Sequence, residues 1–341
     1  MRCKNDLELP FAKQIAKHIN ADLEVSVMER RDALGALEDV AQLTDHPFSD
    51  FSSLPIVFIL KHIKDSLTEP AFIIECNGGD DCFGFQDLEN RNKFSFKHRF
   101  PRLFKKAVSF ALKNHPCWKW ESCGGTLARL SALADVHELT DLNYFLVLAP
   151  MNYLGLYAPP KWDENLQGVM EGVFSDYGDE NSNLSYKAKI TIRQLVHVNS
   201  RRWSAKALSV GESLGLRVIY PYLWREVLVN QGQLPWSAKI HNGIVKWPLK
   251  RLLQEFMPES FIYRKKSGFV PPFARWLTDR EFNLKVRDIL TSGKGYVTQI
   301  APAKIFDELL SDALKGRELR HSILNFLWGA VFTEIWLEKY R

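Results

Sequence analysis

Ala71-Phe72-Ile73-Ile74-Glu75-Cys76-Asn77-Gly78-Gly79-Asp80-Asp81-Cys82-Phe83-Gly84 decides how this chain is read. Phe72, Ile73 and Ile74 are bulky or β-branched and follow Pro70, which predicts a buried strand. The strand cannot run on past Asn77. Two adjacent glycines permit a sharp turn and a close approach to a ligand, and Asp80 and Asp81 set hard oxygen donors at the same strand end. That combination suits a metal-bound phosphate. Open α/β sheets take their ligands just outside the carboxyl ends of the strands, where this turn falls.

Toward the N-terminus, Phe11, Ile15 and Ile19 recur every four residues after Pro10, with Ala12 and Ala16 beside them, and predict a helix beginning near residue 7. Leu23, Val25 and Val27 then alternate with polar residues as a short strand would. Ile56, Ile59, Leu60, Ile63 and Leu67 behind Pro55 predict a second helix, which leads into the strand at 72–74. Helix, strand, helix, strand is the rhythm of a parallel sheet, although a doubly wound unit ordinarily opens on a strand and a glycine-rich turn. Past residue 95 helical periods take over, at 103–112, 188–198, 205–214 and 323–337. The last carries Ile323, Leu324, Leu327, Trp328, Val331, Ile335 and Trp336, an apolar stripe that reads as core. The polar run 176–183 reads as an exposed loop. The expected organisation is an incomplete α/β nucleotide-binding part over residues 1–90 and a mainly helical remainder over 91–341.

A second chemical cluster lies at Tyr263-Arg264-Lys265-Lys266-Ser267-Gly268-Phe269-Val270-Pro271-Pro272. Three adjacent cations repel one another unless an anion lies among them, and the glycine lets the loop close on that anion. A polyphosphate suits it. A carboxylate turn for a metal and a cationic loop for phosphate are complementary halves of a nucleotide site.

The 341 residues carry 45 basic and 40 acidic side chains, a net +5, with no basic block interleaved with aromatics, so a nucleic-acid partner is not expected. No stretch reaches the roughly 18 apolar residues of a membrane span, and the N-terminus lacks the apolar segment of a signal peptide. The five cysteines, at 3, 76, 82, 117 and 123, have no repeated spacing. Even with His115 they complete no metal-ligand set, and they read as buried thiols in a reducing compartment. A cytoplasmic location is the expectation.

In order along the chain, four stretches resemble motifs of the synthetase domain of the asparagine synthetase family. Asp45-His46-Pro47-Phe48-Ser49-Asp50-Phe51-Ser52-Ser53-Leu54-Pro55 is similar to its Pro-Phe-x-Asp-x-Ser-x-x-Pro segment, and residues 77–85 to its acidic-Gly-Gly-Asp-Glu-x-Phe-Gly-Gly loop. Gly215-Leu216-Arg217-Val218-Ile219-Tyr220-Pro221-Tyr222-Leu223 resembles Glu-x-Arg-x-Pro-Phe-Leu-Asp, and 264–277 resembles Arg-x-Lys-x-Gly-Phe-x-x-Pro…Trp-Leu. The resemblance implies a parallel-sheet fold of the ATP-pyrophosphatase (adenine nucleotide alpha-hydrolase-like) type with a large helical C-terminal part. It implies ATP and Mg²⁺ as cofactors, and a carboxylate substrate, aspartate or an analogue, that is adenylated and then attacked by ammonia or an amine. Lys266 and Asn77 fall on catalytic positions, Glu75, Cys76, Gly78, Gly79 and Arg264 on nucleotide-binding positions, and Asp80 and Asp81 on metal positions. Lys266 would offset charge on the α-phosphate and the departing pyrophosphate.

Departures accompany the matches. The family's Ser-Gly-Gly-x-Asp-Ser phosphate loop and its glutaminase domain are absent from this sequence, so a separate glutaminase domain or subunit is an expected partner. Asn77 stands where the family has Asp or Glu, and Trp224 where an acidic residue follows Pro-Phe-Leu. Two expectations follow: a truncated ATP-dependent amide-forming ligase, or an inactive remnant that serves as a binding protein through the face left open by the missing strand.

Overall fold

The computed structural model describes residues 8–48, 50–84, 191–192, 194–264, 269, 271–292 and 295–339. The expected helix at 103–112, the loop at 176–183, Cys3, His115, Cys117, Cys123 and Lys266 lie outside them. Among the described residues, one compact unit is drawn from 8–44, 52–84 and 199–271, and a second from 45–51, 191–198 and 272–339.

In the first unit, α1 (Leu9–His18) starts with Pro10 in its first turn, where the missing N–H costs nothing. Helix α2 (Arg30–Gln42) begins on a capping box: the Asp32 carboxylate accepts the Glu29 N–H at 2.7 Å while Glu29 reciprocates. It buries Ala33, Ala36, Leu37 and Val40 against α3 (Ser53–Ser66), whose Leu54, Val57 and Leu60 point inward. Periodicity located α3 and part of its inner face: Leu60 is buried and Ile56 and Ile63 are half-buried, whereas Ile59 stands 44% exposed.

Strand β1 (Phe72–Ile74) forms where expected, followed by the short helix α4 (Gly79–Phe83). The π-helical stretch Gln194–Trp203 runs directly into α5 (Ser204–Ser213) and then β2 (Arg217–Ile219). The two strands are parallel, with Phe72 opposite Arg217 and Ile74 opposite Ile219, and the Glu75 N–H extends the ladder to the Ile219 carbonyl at 2.9 Å. Gly211 lets α5 lie directly on β2, since a Cβ there would come within 2.4 Å of Val218.

Three expectations are corrected here. Strand β1 is not buried: Phe72 and Ile74 are 62% and 65% exposed, because pairing puts Ile73 and Val218 on the helix-covered face and turns the alternate side chains away. Leu23, Val25 and Val27 join no ladder and stand exposed, since alternation yields a strand only when a neighbour accepts its backbone groups. Strand β2 arises in a region read as helical, where three residues are too few to show a period.

The first unit continues through a 3₁₀ turn (Pro221–Leu223), α6 (Arg225–Gln233), α7 (Trp236–Lys239), α8 (Trp247–Leu253) and α9 (Glu259–Ile262). The second contains α10 (Phe273–Trp276), α11 (Arg280–Thr291), α12 (Val297–Ile300), α13 (Ala303–Leu314) and α14 (His321–Glu338). Asp279 caps α11 by accepting two backbone N–H groups at 3.1 Å. Phe51, Phe273, Phe282, Phe306, Trp328 and Phe332 are fully buried, which places the predicted stripe of α14 in a core. The described architecture is mixed α/β and mostly helical, with a small parallel sheet in the first unit. No helix among the described residues is long and apolar enough to cross a membrane.

Candidate functional site

Because β1 and β2 are parallel, their carboxyl ends emerge together, and residues 75–84 and 220–224 leave the sheet side by side. Gly78 adopts φ +94°, and a Cβ there would come within 2.5 Å of the Leu223 side chain; a Cβ on Gly79 would come within 3.1 Å of the Tyr222 ring. The two glycines therefore let the acidic turn press against the turn after β2. Phe83 meets Tyr222 edge-on with ring centroids 5.8 Å apart, and the Cys82 thiol donates to the Tyr222 carbonyl at 3.4 Å. Of the two described cysteines Cys82 is buried, whereas Cys76 is exposed, contrary to expectation.

The carboxylates on this turn differ in their surroundings. Glu75 accepts the Asn77 N–H at 3.0 Å; burial raises its pKa, and the Asn77 hydrogen bond and the Lys206 charge pull it back. Asp81 is 2% exposed and accepts from the Asn199 side-chain amide at 2.8 Å. Asn199 in turn accepts from the Ser204 hydroxyl at 2.5 Å. Burial lifts the Asp81 carboxyl to about 6 against the Asn199 bond, with the neighbouring Asp80 adding to the rise and Lys246 opposing it. Asp80 lies on the outer side of the turn and is paired with Lys246, Nζ to Oδ1 at 2.6 Å. Deeper in the unit, the buried Lys206 ammonium donates to the Ser52 hydroxyl, and the Tyr220 hydroxyl to the Ser204 carbonyl at 2.7 Å.

Lys246 holds a left-handed backbone, φ 56°, immediately before α8, a conformation that costs a non-glycine residue about 1 kcal/mol and is sustained only by its surroundings. One turn later, Lys250 follows at the i+4 position, about 6 Å further along the axis. Its pKa is lowered by burial first and by Lys246 second. The Lys250 ammonium lies 5.5 Å from the centre of the Tyr263 ring, at the start of the basic loop. Helix α8 thus spans from the acidic turn, through Lys246, to residue 263, through Lys250. Next to Tyr263, Arg264 forms a two-pronged pair with Glu8, at 2.8 and 2.6 Å, and lies 4.8 Å from the centre of the Phe11 ring. Glu75, Cys76, Asn77, Gly78, Gly79, Asp80 and Asp81 are therefore consecutive at one strand end, Arg264 is engaged with α1, and Lys266 lies outside the described residues.

The reading from residue types missed Lys246 and Lys250. Their signal is the spacing Lys246-Trp-Pro-Leu-Lys250 after the Asn242-Gly243 turn, which is weak beside the denser basic run at 264–266. Asn199, the partner of Asp81, carried no sequence signal.

A family model for asparagine synthase matches residues 2–338. The chain belongs to the asparagine synthase family. It is 24% identical over 345 aligned positions to asparagine synthetase 1 (glutamine-hydrolyzing) of Bacillus subtilis (strain 168), covering 96% of this chain and 50% of the relative. Against a provisionally named glutamine-hydrolyzing asparagine synthetase of Mycobacterium tuberculosis (strain ATCC 25618 / H37Rv) it is 23% identical, covering 95% and 47%. The chain spans about half the length of the curated relatives it matches.

The family's nucleotide chemistry raises the question of a metal. Among the described residues no three His, Cys, Asp or Glu side chains cluster as a metal cage. A Mg²⁺ ion carried on phosphates needs only one or two protein carboxylates, however, and Asp80, partly exposed and held by an exchangeable ammonium, has the chemistry to supply one. Asp81 faces inward to Asn199 and fits the role of holding the turn.

Proposed function

We propose that the chain carries the ATP-dependent half of an amide-forming ligase, on a fold of the ATP-pyrophosphatase type. A substrate carboxylate oxygen bonds to the α-phosphorus of ATP, and the bridging P–O bond breaks with its electron pair leaving on pyrophosphate. Ammonia or an amine then adds to the acyl carbon, loses a proton and expels AMP. The observation that carries this reading is the span of α8 from Asp80, through Lys246 and Lys250, to Tyr263 at the edge of the basic loop. The acidic turn and Tyr263, far apart in sequence, are thereby linked by one helix inside one compact unit.

In this reading Asp80 would hold the phosphate-borne Mg²⁺ and Lys246 would pair with the phosphates, while Asp81 holds the turn through Asn199. The metal supplies charge neutralisation for the departing pyrophosphate. Glu75, Cys76, Gly78 and Gly79 present backbone to the nucleotide, Asn77 stands at the reacting end, and Lys266 offsets the charge on the α-phosphate. Arg264 contributes from its pair with Glu8. Ammonia comes from a separate glutaminase domain or subunit, and the location is the cytoplasm. Pyrophosphate release from ATP, measured on this polypeptide with and without the coding sequence upstream of it, tests the reading; no release in either form refutes it.

A second reading, an inactive binding protein, is favoured by the exposure of Phe72 and Ile74 on β1 and of Val25 and Val27 beside α2. Apolar strand residues facing outward suit a partner that covers the sheet. Mg-ATP binding with pyrophosphate release excludes it.

A further inference from the structure

Two of the positions at which the sequence departs from the family motifs, Asn77 and Trp224, stand on turns that pack on one another. Asn77 precedes Gly78, and Gly78 is pressed against Leu223, the residue before Trp224. Both departures remove a carboxylate, and the second puts an indole in its place, 53% exposed at the start of α6 while its neighbours Tyr222 and Leu223 pack on the glycines. The carboxylates that remain on this turn are engaged by the chain's own donors: Glu75 by the Asn77 N–H, Asp80 by Lys246, Asp81 by Asn199.

An amino acid entering beside such a turn brings an α-ammonium, and an ammonium taken from water without a carboxylate partner is costly. A carboxylic acid without that group carries no such penalty. An exposed indole offers a flat apolar surface suited to a flat or apolar body.

From these juxtaposed departures we infer that the acid activated at this site is a carboxylic acid with a flat apolar body and no α-ammonium, bound against Trp224, rather than an amino acid such as aspartate. The inference rests on the ligase reading above and names its substrate class. Trp224 acts as the specificity-determining residue, and the carboxylate itself follows the adenylation step already described.

The test is calorimetric binding of four acids to the full chain: 3-phenylpropionate, phenylalanine, succinate and aspartate, which separate the ammonium from the apolar body. 3-Phenylpropionate is expected to bind about tenfold or more tighter than phenylalanine, and Trp224→Ala to weaken it about tenfold. Trp224→Phe, which keeps a ring, is expected to stay within about threefold of the parent and so separates contact from misfolding. Preference for aspartate, equal binding of phenylalanine and 3-phenylpropionate, no binding of any acid, or equal losses in the two variants overturns the inference. ATP–pyrophosphate exchange reads the ligase activity separately. Absence of exchange with every acid, while selective binding persists, refutes adenylation alone; exchange driven best by aspartate refutes the substrate class alone.

Discussion

Replacing Asp81 by asparagine is expected to stabilise the protein at neutral pH, with a pH dependence that identifies the cause. Asp81 is 2% exposed, and folding lifts its carboxyl from 3.8 to about 6, with burial the main cause. A raised carboxyl favours the protonated form in the folded state. The associated stability is therefore fully present below about 3.8 and is lost as pH rises through about 6. A difference of that size corresponds to about 3 kcal/mol. The substituted amide would keep an oxygen to accept from Asn199 and would carry no charge to bury. Urea unfolding of the parent and Asp81→Asn, run in parallel from about pH 4 to about pH 8, should give equal stabilities at the acidic end and a variant about 3 kcal/mol more stable above about pH 7. A stability gain from deleting an acid is the signature of a charge retained for function at a cost in folding. A variant no more stable than the parent at the alkaline end, or a difference that does not change with pH, refutes the reasoning.

Gly78→Ala should cost about 2 kcal/mol, because alanine must hold φ +94° and its Cβ meets Leu223 at 2.5 Å; a thermal melt reads the loss, and an unchanged Tm contradicts the turn geometry. In the second unit, Glu334 is 5% exposed and accepts the Tyr296 and Val297 N–H groups at 3.0 and 2.8 Å. Glu334→Ala strands both donors and should destabilise by about 2–4 kcal/mol in urea unfolding. Less than about 1 kcal/mol would mean the capping contributes little.

The sequence made the long helices legible where one face is apolar, as in α1 and α5, or where most of the helix is, as in α14, and it located the glycine turn because only glycine tolerates the backbone at residue 78 next to Leu223. It was less informative wherever the outcome depends on a distant partner. Leu23, Val25 and Val27 alternate correctly but have no strand to pair with among the described residues, and the three residues of β2 become a strand only because β1 lies alongside. The exposure of Phe72 and Ile74 reflects which face α5 covers, a property of packing and not of strand composition. At the site, the acidic turn was evident from residue types. Lys246 and Asn199 were not, since the pairs Lys246–Asp80 and Asn199–Asp81 join residues more than a hundred positions apart.

The most direct test of the nucleotide site is a calorimetric titration of Mg-ATP into the parent chain and Lys246→Met. Methionine keeps the length and the left-handed backbone demand of Lys246 while removing its charge. The expected result is saturable binding to the parent and an affinity about tenfold lower in the variant. Absence of binding to the parent, or equal affinity in the two proteins, would contradict a phosphate site bridged by Lys246.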